Sequence, residues 1–281
     1  MSFAIRKQKF QDWLTQQWVI LTGRKMDASD YEWLTGPFGG MNEIGGGYIK
    51  DLAEKENLII QRNSKNSGLI SSVQNLKLTR NNLSEKVIDF YENTSCYDFD
   101  FKVKWNPFFR IFGALINYLF SNRIEQLYIP VKNITNPEPI DSELISLCYP
   151  DSMEMKYKIW LRTFKSGNRV IFSGIYDLCN LPSGETVVKA IFPLPNGNAT
   201  VLMNAEVSER GELILISSGR KIGDSGFYFL LRDSNENLHT RFIRSFRSKL
   251  TVGEKGNHLV AKHQFSLWHL CVFEFSYRIK K

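Results

Sequence analysis

The residues of this chain with the most chemistry to offer gather in its last quarter. His269 belongs to the stretch Phe265, Leu267, His269, Cys271, Phe273, Phe275, Tyr277 and Ile279, with Gln264, Ser266, Glu274, Ser276 and Arg278 between them. Such alternation describes a strand with one apolar face, and it aims His269 and Tyr277 at the core. An imidazole on an apolar wall can serve as acid or base, because burial and neighbours bring its pKa toward neutrality. Asp224 and Tyr228 are the candidates to support it. His263 shares the parity of His269, while His239 and His258 stand beside turns and are expected to be exposed.

Charge is the second feature. Residues 1–237 balance, whereas residues 238–281 carry nine cations against Glu254 and Glu274, so the whole net charge of +7 lies there. Arg241, Arg244, Arg247 and Lys262 are the cations expected to receive an anion, with Tyr277 on the wall behind them. A concentration of this kind raises the local concentration of anionic partners. It also keeps an exposed strand edge from pairing, which is the plainer use of Lys and Arg.

Other chemistry finds little support. Histidines six residues apart on a strand lie roughly 20 Å apart and cannot share a metal. Cys96, Cys148, Cys179 and Cys271 are scattered, with no C-x-x-C pair, so no metal site, cofactor or dense disulfide framework is expected. The glycine-rich stretch 218–227 (SGRKIGDSGF) lacks the phosphate-loop order and joins two strands. The stretch 36–47 (GPFGGMNEIGGG) opens a helix without the strand that a dinucleotide fingerprint requires. No serine lies in a G-x-S-x-G elbow.

The elements that must position these residues fall into two halves. Residues 1–140 are expected to be mainly helical. Phe3, Phe10, Trp13, Leu14, Trp18 and Leu21 make an amphipathic stripe over 3–22, and further helices are expected at 31–34, 44–56, 83–94 and 108–120. The last, entered through Asn106 and Pro107, is interrupted by Arg110 and Asn117, and a spanning helix needs about 20 apolar residues. No transmembrane segment is expected. The acidic, proline-containing stretch 135–152 reads as a connection.

Residues 150–281 alternate short β-branched and aromatic runs with turn signals at 166–168, 182–185, 195–198, 208–212, 223–226, 233–237 and 253–257. In the first run Met155, Tyr157, Ile159 and Leu161 form the apolar face. The segment 238–250 fits a strand, although a basic helix has similar spacing. The expected fold class is α+β: N-terminal helices packed on an antiparallel, strongly curved or barrel-like meander of about eight strands. Its shape is lipocalin-like or helix-grip-like, with helix 108–120 as filler in the second case.

Shape alone does not determine function. The reading is of a soluble, cytoplasmic protein that binds a small hydrophobic or amphipathic anionic molecule in a sheet cavity. The alternatives are a cofactor-independent enzyme with His269 as acid/base, and a nucleic-acid-binding module on the basic hairpin. The last is disfavoured because the nearby aromatics fall on core parity. A barrel packed solid would exclude both small-molecule readings.

Overall fold

The computed structural model describes residues 2–5, 8–40, 46–62, 67–78, 82–116, 128–167 and 169–281. In chain order the helices and first strands are α1 (Phe10–Thr22), β1 (Arg24–Met26), α2 (Gly47–Lys55), β2 (Ile59–Arg62), α3 (Glu85–Glu92), β3 (Asp98–Trp105) and α4 (Pro107–Ile116). Among the described residues, strands then follow: β4 (Ile134–Cys148), β5 (Met155–Phe164), β6 (Val170–Asn180), β7 (Thr186–Leu194) and β8 (Gly197–Val207). The chain ends with β9 (Leu213–Ser217), β10 (Gly226–Arg232), β11 (Leu238–Phe242), β12 (Phe246–Lys255), β13 (His258–Leu267) and β14 (Leu270–Lys280).

Turn residues make this order possible. Asn196, Gly211, Gly223, Glu236 and Gly256 all take positive φ between strands, the conformation that tight reversals demand and that glycine and asparagine tolerate best. The strands close into an antiparallel barrel of ten, running β3 through β9, then β12, β13 and β14, which pairs back onto β3. Closure leaves these ten without a free edge pair, the usual liability of a sheet.

Two strands divide their pairing. The start of β8 (Gly197–Leu202) pairs with β10 and its end (Asn204–Val207) with β9, so β10, β11 and β1 form a flap beside the barrel. One edge of β4 similarly pairs with β3 over Ile134–Ile140 and with β2 over Ile145–Cys148.

The expected connection at 135–152 is therefore mostly strand. Pro137 and Pro139, which cannot donate to a ladder, fall where β4 is paired to β3 with a register shift and before its pairing to β5 begins. Together with β1, β2 and β3, this adds strands to a first half that also holds the four described α-helices. About eight strands were expected after residue 154; there are ten, because 238–250 is two strands broken at 243–245 and 263–279 is a hairpin.

Inside the barrel, directly paired residues share one face. Leu250, His263, Phe275 and Val103 form one such row, and Phe164, Ile140, Phe99 and Ile279 form another. α3 covers the end of the lumen at which β3 begins, with Phe90 edge-on to Phe99. α2 packs outside, laying Ile49, Leu52 and Ala53 over Ile145, Ile159 and Ile191.

Several helical expectations change. The one at 44–56 is Gly47–Lys55, with Ile44 outside the described residues, and the one at 31–34 is a single 3-10 turn at Ser29–Tyr31. α4 does not fill the barrel: Phe108 and Ile111 are exposed and Phe109 is buried, while 117–120 lie outside the described residues. Asn106 does cap it, accepting from the Phe108 amide at 3.1 Å. No described helix is long and apolar enough to cross a membrane.

Candidate functional site

β5 carries the largest surprise. Its inward residues are Trp160, Arg162 and Phe164, the opposite parity to the expected one, while Ile159 faces outward under α2. Both faces of β5 are covered, so hydrophobic content could not reveal which faces the lumen. Cross-strand pairing sets Arg162 between Ser142 and Phe172. Its guanidinium lies 4.1 Å from the Trp160 ring and 4.7 Å from the Phe172 ring, and one N–H donates to Tyr176 Oη at 3.1 Å. Aromatic faces attract a cation but do not neutralise it.

Among the described residues no carboxylate pairs with Arg162, and its Nε has no partner. Removing a guanidinium from water without a counter-ion costs several kcal/mol. The surrounding groups are also unsatisfied: His263 Nε2 and Tyr277 Oη are buried without hydrogen-bond partners. Burial, and then the nearby Arg162 charge, push the His263 pKa down to about 3, so the ring is neutral at ordinary pH. Burial raises the Tyr277 phenol to about 12 and raises Tyr176 as well. The cluster thus holds one fixed positive charge and two neutral phenols, with a neutral imidazole.

Burial inside the barrel is uneven. The lumen is sealed where Phe99, Phe101 and Leu144 pack, whereas Tyr176, Phe192, Val201, His263 and Phe265 face inward yet keep accessible surface. Gly174 helps shape this side, since a Cβ there would fall 2.8 Å from the Phe192 ring. Unsatisfied polar groups and inward rings that keep some accessible surface therefore lie on the same side of the lumen.

A second place collects the residues singled out in the sequence. Arg241, Arg244, Arg247 and His269 line one open groove of about 390 Å³ with Trp18 and Trp268, at the barrel end opposite α3. Here His269 corrects the sequence reading. It occupies the two-residue turn between β13 and β14 with φ of 70° beside Trp268 at 47°, and it is exposed. Odd parity holds on both strands of the hairpin, which made the turn look like continuous strand. A guanidinium only donates, so Arg247 at 3.2 Å donates to His269 Nδ1.

The other candidates are elsewhere. Tyr228 Oη donates to the Asp224 carbonyl at 2.6 Å and accepts from the Gly223 amide. Asp224 accepts from the Arg220 and Lys221 amides, so the 218–227 loop uses on itself the donors that a phosphate would need. Neither residue lines the groove. Lys262 is on the outer wall, paired with Glu274 at 3.0 Å. Tyr277 faces the lumen. His239, expected to be exposed, is buried with Nε2 3.0 Å from Asp233. Burial pushes Asp233 up, but hydrogen bonds from Asn237, His239 and the Asn235 amide hold it well below the usual carboxylate range. That carboxylate organises the 233–237 turn.

Arg162 escaped notice because a single arginine in a strand normally marks the wet face. The available signal was its position two residues from both Trp160 and Phe164.

Comparison with known proteins adds one relative. The chain is 26% identical over 222 residues to a Bacillus subtilis (strain 168) protein named "Uncharacterized membrane protein YndJ". The match covers 76% of this chain and 38% of that protein, so the chain spans well under half the length of the curated relative it matches. No family model matches, and no solved structure matches.

Proposed function

We propose that this protein is a binding protein whose barrel lumen takes an amphipathic anion, its acidic group on Arg162 and its apolar part along Phe192, Phe265 and neighbouring rings. The observation that carries this reading is the buried guanidinium, which has no carboxylate partner among the described residues, beside three further unsatisfied or half-used polar groups. An anionic ligand supplies the missing charge. Tyr176 and Tyr277 are positioned to donate to the same group, and charge-assisted hydrogen bonds are the stronger kind. Pockets that bind small molecules are commonly apolar with a few convergent polar groups.

A catalytic role for His269 has less support, since the ring is exposed and Asp224 and Tyr228 are committed to loop structure. The nucleic-acid reading is weakened too, because Phe265, Phe273 and Phe275 face the lumen and offer no stacking platform outside. A reducing, cytoplasmic setting is supported by Cys148, Cys179 and Cys271, none of which is in a disulfide.

The test is calorimetric titration with palmitate and with hexadecanol, coupled to native mass spectrometry of the purified protein for retained acids. Palmitate should bind about tenfold or more tightly than the alcohol, the difference expected of charged hydrogen bonds. Arg162→Met should erase the difference while leaving the fold intact. If neither aliphatic nor aromatic carboxylates bind, and none is retained on purification, the reading is wrong.

A further inference from the structure

α1 is inside out for a helix packed on a globular protein. Its side facing the β10–β11 flap holds Asp12, Gln16 and Gln17 with Val19 and Ile20, all buried. Gln16 Nε2 donates to the Pro195 carbonyl at 2.8 Å, and Gln17 Oε1 accepts from the Ala4 amide at 3.0 Å. These polar contacts fix the rotation of the helix. What they turn outward is Phe10, Leu14, Trp18 and Leu21, spaced as one helical stripe, with Phe10 70% and Leu21 74% exposed. Of the stripe read over 3–22, Trp13 packs against Val19, Ile20 and Leu231, while Phe10, Leu14, Trp18 and Leu21 meet solvent.

The stripe does not end at the helix. Trp18 shares the arginine groove with Trp268, which is 68% exposed, and Leu270 beside it is also exposed. Arg241 joins the two parts: its guanidinium donates to the Thr22 carbonyl at the C-terminus of α1 and lies 5.8 Å from the Trp18 ring. Next to it, Arg244 and Arg247 point their charge into the groove, and neither has a carboxylate partner among the described residues. At the same end, Asn106 ties the start of α4 to the Cys271 and Val272 carbonyls, placing exposed Phe108 and Ile111 near Leu270.

We infer that this end of the barrel docks on an anionic lipid surface, with α1 lying in the interfacial plane and Arg241, Arg244 and Arg247 binding lipid head groups. Three features match that partner together. An interfacial helix needs an apolar face toward the acyl region and does not need to span. Exposed tryptophans favour the boundary between head groups and chains. Unpaired arginines beside them complement a negative surface potential. A second copy of this chain would bring the same arginines against one another, which charge disfavours. The inference rests on the outer surface and stands whether or not the lumen takes a ligand.

Flotation with phosphatidylcholine vesicles, and with the same vesicles containing phosphatidylglycerol, tests it on the full chain. Binding is expected only to the anionic vesicles, with a blue shift of tryptophan emission, and raising salt from about 0.1 M to about 0.5 M should weaken it. Leu14→Ser with Leu21→Ser, and separately Arg244→Glu with Arg247→Glu, should each reduce partitioning about tenfold or more. All four side chains are at the surface, and circular dichroism checks that the variants fold. Absence of binding to anionic vesicles overturns the inference. So does binding that both double variants leave unchanged, or a dimer in sedimentation that the leucine variant dissolves.

Discussion

Arginine appears in two settings at this barrel, and the contrast explains much of the molecule. Arg162 is inside, held between aromatic rings with no counter-ion among the described residues. Arg241, Arg244 and Arg247 are at the rim, where water screens them and where apolar side chains are exposed around them. The same guanidinium is costly in the first place and cheap in the second, because the free energy of a charge depends on the medium around it. The interior cation therefore asks for a specific anion. The rim cations suit an extended negative surface, which many weak contacts can hold.

Perturbing the two regions should separate them by size of effect. The largest loss is expected at the aromatic wall: Phe275, fully buried and in ring contact with Phe101, Phe172 and Phe265, should cost about 3–5 kcal/mol when changed to alanine, read by denaturant unfolding. Arg162→Met should act in the opposite direction, stabilising the ligand-free protein by about 1–4 kcal/mol as an unpaired charge is removed. A neutral or destabilising result would mean that the cation is satisfied within the barrel, and the comparison would fail.

Acid sharpens the same contrast. His263 stays neutral in the fold down to about 3, whereas the unfolded chain takes up a proton near 6.5. Stability is thus complete above pH 6.5 and falls as the pH drops toward 3, by about 1.4 kcal/mol per pH unit within that window. His263→Gln should flatten this slope in thermal unfolding measured across the range. An anion beside Arg162 would raise the His263 pKa, so ligand binding should also take up protons below neutral pH. The smallest effect belongs to the rim: Arg244→Gln and Arg247→Gln should each change stability by less than about 0.5 kcal/mol.

Much of the fold was legible from local chemistry. Turn residues at 182–185, 208–212 and 233–237 fall between strands, as do the first two of 195–198, because a reversal needs particular backbone conformations that few residues adopt. The inward parity of Phe273, Phe275 and Tyr277 was legible for the same kind of local reason. Of the candidate site, Tyr277 was legible as an inward residue, and Arg241, Arg244, Arg247 and His269 do share a groove at the rim although His269 reaches it from a turn; Arg162 was not legible.

What the sequence by itself determined is the succession of strands, the basic end and the stripe on α1, each set by spacing and by the conformational habits of single residues. Tertiary structure alone decided which way each covered face points. β5 is covered on both faces, so only the register with β4 and β6, and α2 laid over one side, sends Arg162 into the lumen. α1 could bury either face by period alone. Hydrogen bonds from Gln16 and Gln17 to residues far along the chain or in the preceding segment turned its apolar face outward. Periodicity fixes that a face exists, and only the partners brought by the fold fix what it meets.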